Sequence, residues 1–154
     1  MTEKYSSLCK QLASMVEYEK HWVPNLANAS SLLWQNLEGL NWAGFYTMEK
    51  EGYLLLGPFQ GKPACIRIAP GKGVCGTAAA EDKTQLVADV HQFKGHIACD
   101  SASNSEIVIP LHNKEGKVTG VMDIDSPELN HFTLEDKEGL EAFAKILETS
   151  CLWD

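Results

Sequence analysis

No window of the chain approaches the roughly 18 consecutive apolar residues that a membrane span requires. The first ten residues, MTEKYSSLCK, hold no apolar stretch of the signal-peptide kind. The expectation is a cytoplasmic chain in a reducing compartment, free of the membrane. Its five cysteines are then resting thiols rather than a disulfide framework, and the odd count agrees. Short Cys-x-x-Cys pairs are missing: nine residues separate Cys65 from Cys75, and twenty-three separate Cys75 from Cys99. Structural zinc sites use closer pairs, so no metal is expected even with His91 and His96 nearby, and no cofactor motif is present. The turn Pro70-Gly71-Lys72-Gly73 lacks the longer pattern of a nucleotide-binding loop. Basic charge is scarce too, with 13 Lys and Arg against 21 Asp and Glu for a net charge of −8. Nucleic acid, whose phosphates demand a basic patch, is therefore excluded as a partner. Without repeats, low-complexity tracts or a linker, the 154 residues read as one domain, 1–154, large enough for a full core.

What is present orders itself into helix, helix, about six strands with a short helix among them, and a last helix. Leu8, Leu12, Met15 and Val16 recur at helical spacing and predict an amphipathic helix over Glu3 to Lys20. A second helix starts at Pro24, a favoured first helical residue. It carries Leu26, Ser30, Leu33 and Leu37 on one face and stops before Gly39. Strands over Trp42–Glu49 and Tyr53–Leu56 form a hairpin about Lys50-Glu51-Gly52. Ala64–Ile68 and Gln85–Val90 read as two more strands around a helix at Val74–Glu81. A last hairpin joins Glu106–His112 to Val118–Ser126. Thr133 and Asp136 form a capping box that opens a helix burying Leu140, Phe143, Ala144 and Leu147. This order favours an α+β architecture, an antiparallel sheet with helices packed on it.

A four-residue loop at Asn113–Gly116 would pair His112 with Lys117 and set Glu106 opposite Asp123. Side chains alternate along a strand, so Ile107, Ile109, Leu111, Val118, Gly120, Met122 and Ile124 share a core face. Glu106, Val108, Asp123 and Asp125 share the other. Three carboxylates at one end of one face should couple and raise the pKa of at least one. Such a group can serve as a general acid, and the remainder would suit a substrate ammonium. The competing reading is a solvated hairpin end whose acids only keep the surface wet.

Immediately before this hairpin, Cys99 lies in a loop of small and polar residues, Gly95 to Ser105, suited to exposure rather than packing. Loops carried by a rigid sheet are where reactive groups are commonly mounted. Cys65 lies in an extended segment beside Arg67. Cys75 follows a glycine-rich turn at a helix start, where a thiol pKa can be lowered. Asp100 beside Cys99 works in the opposite direction, and the sequence leaves both effects standing. Cys9 and Cys151 read as structural or incidental. Along the first strand, Trp42, Gly44 and Tyr46 share a face, and Gly44 leaves room for a small apolar group between the two rings.

These segments, NWAGFY, GPFQGKPACIRI, GKGVCG, HIACDSASNSEIVIP and VMDIDSP, resemble the free methionine-(R)-sulfoxide reductases, members of the GAF-domain family. The likeness spans roughly Trp22 to Ile146. It implies a GAF-like, six-stranded antiparallel sheet flanked by helices. It also implies that Cys99 is the attacking cysteine, Cys65 the resolving cysteine and Cys75 an accessory or alternative resolving one. Glu106, Asp123 and Asp125 match the substrate-binding and acid carboxylates, and Trp42 and Tyr46 the aromatics around the substrate's methyl group. The implied cycle runs from a Cys99 sulfenic acid through a disulfide to reduction by thioredoxin. Pairing of two copies into a homodimer is expected by analogy with other GAF domains. Two other classes fit the same fold: a non-catalytic small-molecule sensor, or a thiol switch in which a disulfide alters a partner surface.

Overall fold

The computed structural model describes residues 1–95 and 102–153. Helix α1 (Glu3–Val16) opens on Thr2, whose hydroxyl accepts from the Tyr5 N–H at 3.3 Å. It stops four residues before Lys20 because Glu17 to Lys20 are all exposed and offer no apolar contact to extend it. Met15 likewise lies outside, while Leu8, Leu12 and Val16 are buried. Helix α2 (Trp22–Asn36) starts two residues ahead of Pro24, because His21 supplies the cap by accepting from the Val23 N–H at 3.1 Å. Its expected face, Leu26, Ser30, Leu33 and Leu37, is buried.

Strands β1 (Trp42–Met48), β2 (Leu54–Gly61), β3 (Arg67–Ile68), β4 (Gln85–Val87), β5 (Ser105–His112) and β6 (Val118–Ser126) form one sheet in the order β3-β2-β1-β6-β5-β4. Every pairing is antiparallel. Helix α3 (Gly73–Glu81) lies between β3 and β4 in the chain, and α4 (Leu134–Ser150) closes it. The architecture is α+β, a six-stranded antiparallel sheet flanked by helices.

Among the strands, β2, β3 and β4 depart most from the sequence expectation. Strand β2 runs five residues past Leu56, through Gly57 and Pro58, because β1 pairs with it as far as Gly61, while β3 pairs only with Leu54 and Leu55. Proline is tolerated where a strand's N–H has no ladder partner to lose. Strand β3 shrinks to Arg67 and Ile68, with one further bond from the Leu56 N–H to the Ile66 carbonyl at 2.8 Å. Strand β4 ends at Val87, and a single 3₁₀ turn follows at Val90–Gln92.

Both faces of the sheet are covered. Helices α1, α2 and α4 pack with Ala43, Phe45, Ile107, Ile109, Leu111, Met122 and Ile124 into the larger core. Thr133 and Asp136 do form the capping box of α4, and Leu140, Phe143, Ala144 and Leu147 are buried as expected. Helix α4 meets α1 closely enough that a methyl group on Gly139 would lie 2.1 Å from Tyr5 Cγ. The Tyr5 hydroxyl donates to Asp136 at 2.6 Å and ties the two helices. The opposite face, with α3, gathers Trp42, Tyr46, Val74, Cys75, Ala78, Val108 and Val121. Among the described residues, no helix is long and apolar enough to cross a membrane.

Candidate active site

The α3 face of the sheet is hollowed into a cavity of about 50 Å³, several times the space one ordered water needs. Strand β1 lines it with Trp42 and Tyr46, β5 with Glu106, β6 with Asp123 and Asp125, and α3 with Val74 and Cys75. Alternation along the strands puts these side chains together, as read from the sequence, but the register differs. Glu106 pairs with Asp125, and Asp123 pairs with Val108. An irregularity between Leu111 and His112, with His112 opposite Val118, displaces the pairing by two residues. Such a displacement keeps every residue on its expected face, where a single-residue slip would have reversed them all.

The acids are not a wetted hairpin end. Glu106, Asp123 and Asp125 are only 7%, 6% and 8% exposed. Burial, followed by the charges of Asp123 and Asp125, pushes Glu106 well above the usual carboxylate range. Burial also raises Asp123, against the opposing pull of hydrogen bonding with Glu106 and Cys75. Two neighbouring carboxyl groups that cannot both ionise cheaply hold a proton more tightly than an ordinary carboxylate does. For Cys75 the structure reverses the helix-start expectation. The thiol lies in the first turn of α3, yet burial and then the charges of Asp123, Glu106 and Asp125 raise its pKa.

Trp42 and Tyr46 stack with ring centroids 5.9 Å apart, and Phe59 stacks on Trp42 at 5.1 Å. The space expected at Gly44 is taken: a side-chain carbon there would meet Phe59 Cβ at 2.2 Å. Gly44 thus admits the neighbouring strand rather than a ligand. Trp42 Nε1 donates to the Lys62 carbonyl, and the Tyr46 hydroxyl donates to the Cys65 carbonyl, each at 3.1 Å. The second bond fixes the Cys65 segment against the cavity wall. Cys65 is half-buried and disulfide-bonded, whereas Cys9, Cys75 and Cys151 are free and buried. Cys99, His96 and Asp100 lie outside the described residues.

The GAF domain family model matches residues 24–150. The free methionine-R-sulfoxide reductase of Escherichia coli is 50% identical over 147 residues, covering 96% of this chain and 88% of its own. The Saccharomyces cerevisiae protein of that name is 51% identical over 139 residues, covering 86% and 77%. The chain belongs to the free methionine-R-sulfoxide reductases of the GAF family. Among solved structures, an fRMsr of Staphylococcus aureus in complex with its substrate superposes with a TM-score of 0.89 at 55% identity, covering 95% of this chain and 94% of that one.

In this member of the reductase family, two polar side chains of the cavity, Lys72 and Ser103, were not among the expected site residues. Lys72 stands at the rim, immediately before α3; in the sequence its glycine-flanked turn lacks a nucleotide-binding pattern and signals only a helix start. Ser103 is buried and accepts from Asn41 Nδ2 at 2.9 Å, which holds Ser103 itself against the cavity. Only the extended length of that loop could have signalled Ser103.

Proposed function

We propose that the chain is an oxidoreductase that reduces free L-methionine-(R)-sulfoxide to methionine, with the α3-side cavity as its active site. The observation that carries this reading is the buried wall of Glu106, Asp123 and Asp125 facing stacked Trp42 and Tyr46 across one cavity. The aromatic side suits the substrate's methyl group, and the acid side its ammonium. Lys72 and the first N–H groups of α3, which no side chain caps, suit its carboxylate. A site that reads both backbone charges of an amino acid refuses a methionine sulfoxide already joined into a polypeptide.

In the proposed cycle the Cys99 thiolate attacks the sulfoxide sulfur. A protonated carboxyl group, Glu106 by its strongly raised pKa, delivers the proton to the sulfoxide oxygen. The oxygen passes to Cys99 as a sulfenic acid and methionine leaves. The Cys65 thiol then displaces that oxygen as water, and the resulting disulfide is reopened by a dithiol reductant, thioredoxin. Support for Cys65 over Cys75 as resolving residue comes from their states: Cys65 is disulfide-bonded, whereas Cys75 is free and its thiolate disfavoured. A single domain, a cytoplasmic setting and pairing of two copies belong to the same proposal.

The test is chromatographic detection of methionine from the free sulfoxide, with thioredoxin, its reductase and NADPH. Stoichiometric release in single turnover and its loss in Cys99→Ser are the expected results. A protein that binds the sulfoxide without releasing methionine would be a sensor, and the proposal would fall.

A further inference from the structure

One oxygen of Asp123, Oδ1, is sealed from water and has no hydrogen-bond partner, although its side chain lines the cavity. Leaving such an atom unsatisfied costs about 1–3 kcal/mol, and more if it is charged. The position therefore favours a guest that is positive. Around it the fold brings together ligand atoms from three elements. The Cys75 sulfur from α3, a Glu106 oxygen from β5 and an Asp123 oxygen from β6 all lie within 4.8 Å of one another. Each of the three residues is more than nine-tenths buried.

From this juxtaposition we infer that Cys75, Glu106 and Asp123 form a binding site for a borderline-soft divalent metal ion of the zinc type. The donor set selects the ion. Magnesium and calcium take six or more oxygen ligands, which one sulfur and two carboxylates do not provide. Zinc accepts sulfur at about 2.3 Å and carboxylate oxygen at about 2.0–2.2 Å, in sites of three protein ligands with a fourth position open. Donors this close need only side-chain rotations to converge on one ion, and the cavity gives the fourth position room for water or Asp125. The cysteine spacing in the sequence could not reveal such a site, since a single cysteine contributes and the sheet register supplies the rest.

Binding displaces the Cys75 proton, because the thiolate is the liganding form. The affinity therefore rises with pH. A bound ion would also stand where the proposed active site takes the substrate ammonium and holds the donated proton, and would block turnover. That consequence, unlike the site, rests on the reductase reading.

The experiment uses the reduced full-length protein carrying Cys65→Ser and Cys99→Ser, so that the redox cysteines cannot chelate. Titration with Cd²⁺, followed by the ultraviolet sulfur-to-metal charge-transfer band, should give one equivalent, and Zn²⁺ should displace it and raise the melting temperature. Adding Cys75→Ser should remove the band. Asp123→Asn should keep it but weaken binding by at least the roughly tenfold lost when even an outer-shell partner of a metal site is removed. Should the Cys75→Ser protein fail to fold, the Asp123→Asn measurement decides alone. Absence of the band with Cys75 present, its persistence without Cys75, or unchanged affinity in Asp123→Asn would each overturn the site. No readout involves methionine sulfoxide, so failure here leaves the reductase proposal to its own assay.

Discussion

Strands β1, β5 and β6 present two buried faces built from alternate residues of the same segments, yet the faces do opposite work. Toward α1, α2 and α4 they show Ala43, Phe45, Ile107, Ile109, Met122 and Ile124, a hydrocarbon surface closed by Phe143 and Leu147. Toward α3 they show Trp42, Tyr46, Glu106, Asp123 and Asp125 around a cavity. The first face gains stability from every contact it buries. The second holds three carboxyl groups out of water near one another, an arrangement that opposes folding. The contrast separates the residues that hold the molecule together from those that line the cavity, although they are neighbours along each strand.

The contrast can be broken most severely on the hydrocarbon side. Phe143→Ala should cost about 3–5 kcal/mol in denaturant unfolding, with kcat/KM unchanged in the fraction that remains folded. On the acid side, Glu106→Gln should do the reverse. Positioned acid catalysis is typically worth about 10²–10⁴-fold, so kcat/KM for free methionine-(R)-sulfoxide should fall at least about tenfold. Stability should rise. Because burial and neighbouring charge raise the Glu106 pKa in the folded state, the native protein loses stability as pH climbs from the ordinary glutamate range toward the raised value. The glutamine variant cannot ionise, so its melting temperature should exceed the parent's above that range and match it below. A parent that melts no earlier than the variant at neutral pH would mean that the acids are not strained against one another.

Two smaller perturbations sharpen the same comparison. Gly139→Ala pushes a methyl group into the Tyr5 ring and should cost about 1–3 kcal/mol by overpacking, without altering KM. His112 closes the end of β5. It contacts Asp82 and Glu148 through its two ring nitrogens, while its N–H donates to Glu148 at 2.6 Å. Burial alone would lower its pKa, but hydrogen bonds and charge from Asp82 and Glu148 raise it overall. A raised histidine pKa contributes stability in full below the unfolded value and loses it as pH rises through the folded value. Melting curves from pH 5 to 9 should therefore show a decline that His112→Gln removes.

Much of this was legible in the chain because period-two alternation survives errors of register. Placing Glu106 opposite Asp123 was wrong by two residues, yet the faces came out right, since an even displacement preserves them. The capping box of α4 was legible because its two residues act locally. What the sequence concealed depends on contacts between distant segments. Gly44 reads as open space until β2 lays Phe59 across it. Cys75 reads as an activated thiol until the carboxylates of β5 and β6 close around it. Lys72 reads as part of a turn until α3 sets that turn at the cavity rim.

The position of Cys65 in the sheet order carries one more consequence. Its segment leads into β3, the outermost strand, whose ladder on β2 spans only two residue pairs. The carboxyl groups sit on β5 and β6, each flanked by partners on both sides. In the proposed cycle, displacing the half-buried sulfur toward an incoming reductant would unzip a short hem of the fabric, whereas moving the acids would tear its middle. Recycling by that route would open the Pro63, Ala64 and Ile68 side of the pocket at its border while the acid wall stays in place.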